Sequence, residues 1–453
     1  MDRTDAGKSK GPAHARRRAF PRENEDRLAE IGRQLPPPSD EELEIVAGLR
    51  ASRRRRRLLV WGVTIVVLAL IAGGIAQWIR PVSHATLGVQ DVRLPGTTPA
   101  FAWPSSGESA ATVVGVGPVG EVRGTQPVPV AGLAAILTAY VVLSDHHLAP
   151  GDDGPSIPVT ADALSAYQAG QATQASEIPI TAGETLTEVQ ALEGLVVDSG
   201  ADMATVLADW DAGSVTAFVT KMNATAAALG LTSTHITDPS GVDPATTSTA
   251  EDLVRLGEAS LSIPILRQMV SLGQASVLIP NTPVVYNLNF DLGQDGIIGI
   301  KTASDSSAQG CFLVAAQQDI GGKAVTVVAA VLGQPGGALG PNTAAVDAGD
   351  ALVRSVFFSL HSFTLFSPGQ TVSSLDAPWG SSAPVTVAQP LAVVGWPGLV
   401  ATLTARVHRI DGAVHSGVTV GTLSTGVGAS AVHVELKMLG PLSGPSALWR
   451  LTR

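Results

Sequence analysis

Residues 127–143 read PVPVAGLAAILTAYVVL. From Ala131 to Leu143 there is no charge, no proline and no glycine after Gly132. A helix with apolar residues on every side has no face to show to water, so it belongs in the middle of a domain. At 453 residues the chain has room for two or three units around such an element. With 48 glycines and only 4% aromatic residues, those interiors must be packed mainly from small side chains.

A second apolar run has a different meaning. Leu58–Ala76 is 19 residues without a charge, which as a helix spans roughly 28 Å, close to the hydrocarbon thickness of about 30 Å. Trp61 and Trp78 stand near its ends, and Arg53–Arg57 precede it. The positive-inside rule then keeps residues 1–57 in the cytoplasm and sends the rest of the chain outside. The long leader, the length of the apolar core and the lack of a following cysteine favour a signal anchor at 58–79 over a cleaved signal peptide. Residues 1–57 carry 15 Lys/Arg against 10 Asp/Glu, while the remainder carries 14 against 29. An acidic body argues against nucleic acid as a partner. Cys311, the one cysteine, excludes an intramolecular disulfide and reads as a small core residue within CFLVAA.

Residues 1–38 are polar and Arg-rich, end in Pro36-Pro37-Pro38, and read as mostly disordered, with a weak helix over 22–35 where Leu28, Ile31 and Leu35 share a face. Ser39 and Glu42 form a capping box for a helix that runs toward the membrane. Residues 80–100, with Pro81, Pro95, Gly96 and Pro99, read as a linker. In the domain over 101–358, Ala111–Val116 reads as a strand and Gly117-Pro118 as a turn. Helices follow, with caps expected at Thr185 toward Glu188 and at Ser248 toward Glu251, and a stop at Gly230. Strands are expected at Ala275–Ile279, Gly296–Thr302, Phe312–Ala316 and Val325–Leu332, with a hairpin turn at Gly321-Gly322. Asn342 is the expected cap of a last helix to about Phe358. Helices grouped between antiparallel strands indicate an α+β fold. Residues 360–453 alternate in short apolar runs and predict a small all-β domain.

Four stretches, taken in order, resemble the serine-type D-alanyl-D-alanine carboxypeptidases, low-molecular-weight penicillin-binding proteins. They are the 127–143 helix, LTEVQALEGLVVDSGADMA (186–204), MNATAAALGLTSTHITDPSGVDPATTSTAEDLVRLG (222–257) and DGIIGIKTASDSSAQGCFLVAA (295–316). The resemblance covers roughly residues 100–358. It implies the penicillin-binding-protein/β-lactamase-like fold, an antiparallel sheet with a helical subdomain. It also implies three motifs, S-x-x-K, S-x-N and K-T-G. Ser and Lys three apart on a helix share a face, so the amine can take the hydroxyl proton of a nucleophile that is weak without a base. The resemblance makes S-x-N a proton shuttle and K-T-G the strand that pairs with substrate.

On this chain the resemblance places the nucleophile column at Gly132 and the base at Ala135. The second motif keeps Ser199 but has Ala201 for its Asn. The third keeps Lys301 and Thr302 but has Ala303 for its Gly. The six lysines are preceded three residues earlier by Asp5, Gly7, Phe218, Ile298, Ile320 and Val434, so no S-x-x-K exists elsewhere. These readings imply a membrane-anchored, cell-envelope pseudoenzyme that binds peptidoglycan stem peptides or a wall-synthesis protein, with Ser199, Lys301 and Thr302 as ligand-binding candidates. Two alternatives stay open: residual carboxypeptidase activity through Ser199 and Lys301, and a scaffold that works through the β-rich domain or the cytoplasmic tail. No cofactor and no metal is expected, since His146-His147 are neighbours that diverge on a helix and no H-x-x-x-H occurs. Ser240 in DPSG reads as a turn residue, because it lacks the G-x-S-x-G setting of a nucleophile elbow.

Overall fold

The computed structural model describes residues 39–124, 126–173, 176–275, 284–426 and 431–452. The expected disorder over 1–38 and helix over 22–35 lie outside those residues. The described residues fall into two compact units, one within residues 39–82 and 446–452 and the other within residues 83–445.

The first unit is dominated by α1, Asp40–Ile79, a single helix of 40 residues. It begins directly after Ser39, where the sequence places an N-cap. The most apolar 18-residue stretch within Ala51–Ile79 has a mean hydropathy of 2.6, and none of it is buried by protein. Apolar surface on every side with no protein around it calls for hydrocarbon. The segment is a single-pass membrane anchor, with the Arg53–Arg57 flank cytoplasmic and the large unit outside.

The large unit is built on a five-stranded antiparallel sheet. Its strands are β1 (Glu108–Val113), β2 (Gly117–Val122), β3 (Ile297–Asp305), β4 (Gln309–Asp319) and β5 (Ala324–Gln334), in the order β3-β4-β5-β1-β2. Both faces are covered, which is why β4 and β5 read as continuous apolar runs rather than alternating ones. One face bears a helical lobe. It comprises α2 (Ala134–Asp145), α3 (Ala161–Thr173), α4 (Glu188–Glu193), α5 (Ala201–Ala212), α6 (Val215–Ala228), α7 (Ala250–Leu261) and α8 (Pro264–Val270). Leu313, Ala315, Val328 and Ala330 join that lobe's core. The other face carries α9 (Pro341–Ser359), whose Leu352 and Val356 pack with Phe312, Val314 and Val327. Gly349 makes this close approach possible, since a Cβ there would stand 2.5 Å from the Phe312 ring. As the sequence requires, α2 is interior: Ile136, Leu137, Ala139 and Val142 are fully buried.

Several ends differ from expectation. The turn after β1 lies at 114–116, and Gly117-Pro118 opens β2 instead of forming the turn. The cap of α4 is Thr187, which shares a capping box with Gln190, while Thr185 belongs to a short strand. Thr249, not Ser248, caps α7 through its hydroxyl to the Asp252 N–H. The helix expected to reach about Phe358 starts on Gly340 with Pro341 as its first residue, so Asn342 is inside it. In each case a second Ser, Thr or Gly within three residues competes for the cap, and the tertiary fit decides. Of the strand expected at Ala275–Ile279, Gln274–Ala275 is described.

The C-terminal region is β-rich. Its six-stranded sheet orders Thr86–Leu87, Thr371–Asp376, Ser382–Val387, Val432–Met438, Thr419–Thr425 and Leu403–Val407. The first of these strands falls within the expected linker. Residues 83–100 instead pair with this region: Thr86 opposes Asp376, Val92 opposes Ala401, and Leu94 is 1% exposed. Two-residue strands are too short to show a period, which is why the segment reads as a linker in sequence.

Candidate active site

Three pieces of chain meet in the large unit. The first is the 3₁₀ turn Ala131–Leu133 that leads into α2, with Ala131 in the left-handed region at φ +47°. The DPSG turn supports it from outside. Asp238 Oδ1 accepts the N–H groups of Ser240 (2.7 Å) and Gly241 (2.6 Å) and the Ser240 hydroxyl (2.6 Å), and its Oδ2 accepts the Asp243 N–H (2.7 Å). Thr138, on α2, donates its hydroxyl to the Pro239 carbonyl at 2.7 Å. Gly241 sits at φ +85° against Ala131, and a Cβ there would fall 1.9 Å from the Ala131 carbonyl oxygen. Ser240 is a turn residue, as its sequence setting indicates.

The second piece is the π-helical turn Gly194–Asp198 that continues α4 and ends on Ser199, left-handed at φ +71°. The next helix opens at Ala201, and Asp202 locks it down by accepting the Ile178 N–H at 3.1 Å while its own N–H donates to Glu177 Oε2 at 3.0 Å. Burial pushes both carboxyls up; Asp202 raises Glu177 further, to about 8, while hydrogen bonds from Glu177 and from backbone N–H groups hold Asp202 back to about 6.

The third piece is the edge strand β3. Lys301 and Thr302 are each 3% exposed and Ala303 is 7% exposed. The Lys301 Nζ donates to the carbonyl oxygens of Val196 (2.6 Å) and Leu195 (3.3 Å), tying β3 to the turn beneath Ser199. Burial pushes this amine down to about 7, against a smaller upward pull from Asp198.

The pieces converge on Gly132. A Cβ built there would lie 3.4 Å from the Ala303 Cβ and 3.7 Å from both Cβ and Oγ of Ser199. Residues named from three separate stretches of sequence thus surround one point. Ala135 is 1% exposed in the core one turn further along, and Ala201 is the first residue of α5. Beside Asp198 a cleft of about 320 Å³ opens, lined by Glu177, Ile178, Pro179, Val285, Tyr286 and Leu288. Sequence reading missed Asp238 as the hub of its turn, though Asp two residues before Ser-Gly is a turn signal. It also missed Glu177 and Asp202, for which no local pattern exists.

The remaining candidates have structural partners. His146 bonds Asp211 at 3.0 Å and lies 4.0 Å from the Trp210 ring, while Lys221 pairs with Asp145 and Asp211. Among the described residues no three His, Cys, Asp or Glu side chains are placed to hold a metal. Cys311 is fully buried, and burial pushes its thiol up to about 12.

An antiparallel sheet backed by one helix and faced by a helical lobe, with a helix start, a turn and an edge strand meeting at one point, defines the penicillin-binding-protein/β-lactamase-like class. Residues 120–336 match the family model for D-alanyl-D-alanine carboxypeptidase. A D-alanyl-D-alanine carboxypeptidase from Streptomyces sp. strain K15 is 30% identical over 213 residues, 44% of this chain and 69% of that protein. The chain belongs to the D-alanyl-D-alanine carboxypeptidase family. The carboxypeptidase DacB2 of Mycobacterium tuberculosis is 35% identical over 157 residues, 33% of this chain and 52% of that protein, so the match spans about half of that relative's length. The crystal structure of DacD from Francisella tularensis is similar in fold, with a TM-score of 0.56 and 19% identity over 79% of this chain and 97% of that one.

Proposed function

We propose that the chain is a catalytically silent member of its family that works at the cell envelope, holding peptidoglycan stem peptides or a wall-synthesis protein without cleaving them. The observation that carries the reading is Gly132. A glycine occupies the point between Ser199 and Ala303 where, by the family resemblance, a serine Cβ and hydroxyl would project. Ala135 supplies a methyl in the column of the base. The altered columns at Ala201 and Ala303 agree with relaxed demand on the chemistry, while the rest of the frame is kept. Removing a nucleophile of a comparable serine hydrolase costs about 10⁶ in turnover, roughly 8 kcal/mol of barrier, which leftover binding groups do not restore.

A second reading has one observation in its favour. A Lys301 amine brought down to about 7 is the right acidity for a general base toward Ser199. Geometry speaks against it, because that amine is engaged by the Leu195 and Val196 carbonyls. Incubating the full chain in detergent with fluorescent penicillin and, separately, with a pentapeptide ending in D-Ala-D-Ala separates the two. The expected result is no covalent label and no free D-alanine. Label that disappears in Ser199→Ala would establish the second reading and end the first.

A further inference from the structure

A cavity of about 810 Å³ shares no lining residue with the Gly132 site. It lies where the turn at 114–116 and the start of β5, with Lys323 just before it, approach the C-terminal β-region. One wall is a row of polar side chains across three strands: Thr404 opposes Ser424, which opposes His433. The Ser424 hydroxyl donates to the Thr404 carbonyl at 3.2 Å, which orders the row. Their strand neighbours Leu403, Leu423 and Val434 point the other way, into the core, so the row is the sheet's outward face. Val325, Val394 and the exposed Lys323 also line the cavity.

Charge narrows the ligand. Residues 58–453 carry 14 Lys/Arg against 29 Asp/Glu, yet no carboxylate lines this cavity, while Lys323 does. The nearest acid on the same strand face, Glu435, is taken up by Lys437 at 4.0 Å and Thr419 at 3.4 Å. A site that is locally cationic in an acidic body selects an anion. A lining of hydroxyls and valines suits a ring with polar edges and an apolar face, and the volume is that of a small-ligand site. We propose that this cavity binds a short anionic glycan: sugar or polyol units bearing a carboxylate or a phosphate.

The test uses probes without peptide, so its result is independent of what the Gly132 site binds. Calorimetric titration of the full chain in detergent at low salt compares three: a peptide-free wall tetrasaccharide with free carboxylates, a glycerol phosphate oligomer, and neutral chitotetraose. One or both anionic probes should bind more tightly than the neutral one, by up to about fivefold, the upper end of the gain from one exposed charge pair. Whichever binds identifies the source of the anion. Lys323→Glu, an exposed turn substitution, should remove that preference, and Ser424→Val should weaken the same probe with the melting temperature unchanged. Equal binding of all three, no binding at millimolar concentration, or indifference to Lys323→Glu would overturn the proposal.

Discussion

Burial brings the Lys301 amine down to about 7 while two carbonyl oxygens hold it under Ser199, and that combination has a consequence for stability. An unfolded lysine titrates near 10.4. Between about pH 7 and 10 the unfolded chain therefore binds more protons at this site than the folded one. Stability from this group must rise with pH across that window, by at most about 1.4 kcal/mol per pH unit for one proton. Below about 7 both states are protonated and the contribution is flat. Urea unfolding of the parent and Lys301→Met from about pH 6 to about pH 9.5 should show the parent gaining on the variant as pH rises; parallel curves would place the amine in water. The proposed silence of the site is tested at the same scale. A Cβ at Gly132 meets its neighbours at 3.4–3.7 Å, ordinary contact, so a serine fits there. Gly132→Ser together with Ala135→Lys should take up fluorescent penicillin slowly, and more when Ala303→Gly is added. Each single substitution should stay unlabelled, because nucleophile and base act as a unit. Labelling of Gly132→Ser without the lysine would show that another base serves the site.

The turn that carries Asp238 and Gly241 is what holds the start of α2 in its strained form. Gly241→Ala adds a methyl into the Ala131 carbonyl at a φ of +85°, so the turn and the Ala131–Leu133 segment must separate. The expected cost is about 3 kcal/mol or more of unfolding free energy, against about 1 kcal/mol for an ordinary substitution. Chemical denaturation measures it, and a loss under about 1 kcal/mol would mean the two segments are not in contact. Much at this scale is readable from sequence. The all-round apolarity of 131–143 announced a central helix, and apolar runs located β3, β4 and β5, because burial on two faces leaves an unmistakable composition. Helix starts were readable to within a few residues, as the move from Thr185 to Thr187 shows. The convergence of Gly132, Ser199 and Ala303 was legible only through a family resemblance, since no local pattern brings residues more than 60 positions apart together. The Glu177–Asp202 pair and the β-pairing of residues 83–100 were not legible, because each depends on partners supplied by distant chain.

At the scale of the whole chain, one helix separates two differently charged parts, and its orientation follows from charge. Arg53–Arg57 lie at one end of the apolar segment that closes near Trp78, and each arginine carried across the bilayer would add a penalty that no group on the other side offsets. The acidic body meets no such barrier, since long segments are translocated largely regardless of their own charge. Cysteine mapping can read this directly because the background is low. The native Cys311 is fully buried with its thiol pushed up to about 12, so it presents almost no thiolate to a maleimide. Ser52→Cys, just before the arginines, should resist a membrane-impermeant maleimide in intact cells and react once the membrane is opened. Ser306→Cys, exposed in the turn after β3, should react in intact cells. Both sites reacting before lysis would mean that the arginines had crossed. Protection of both would place the large unit inside, where it would meet no wall peptide, and would remove the setting on which a stem-peptide role depends.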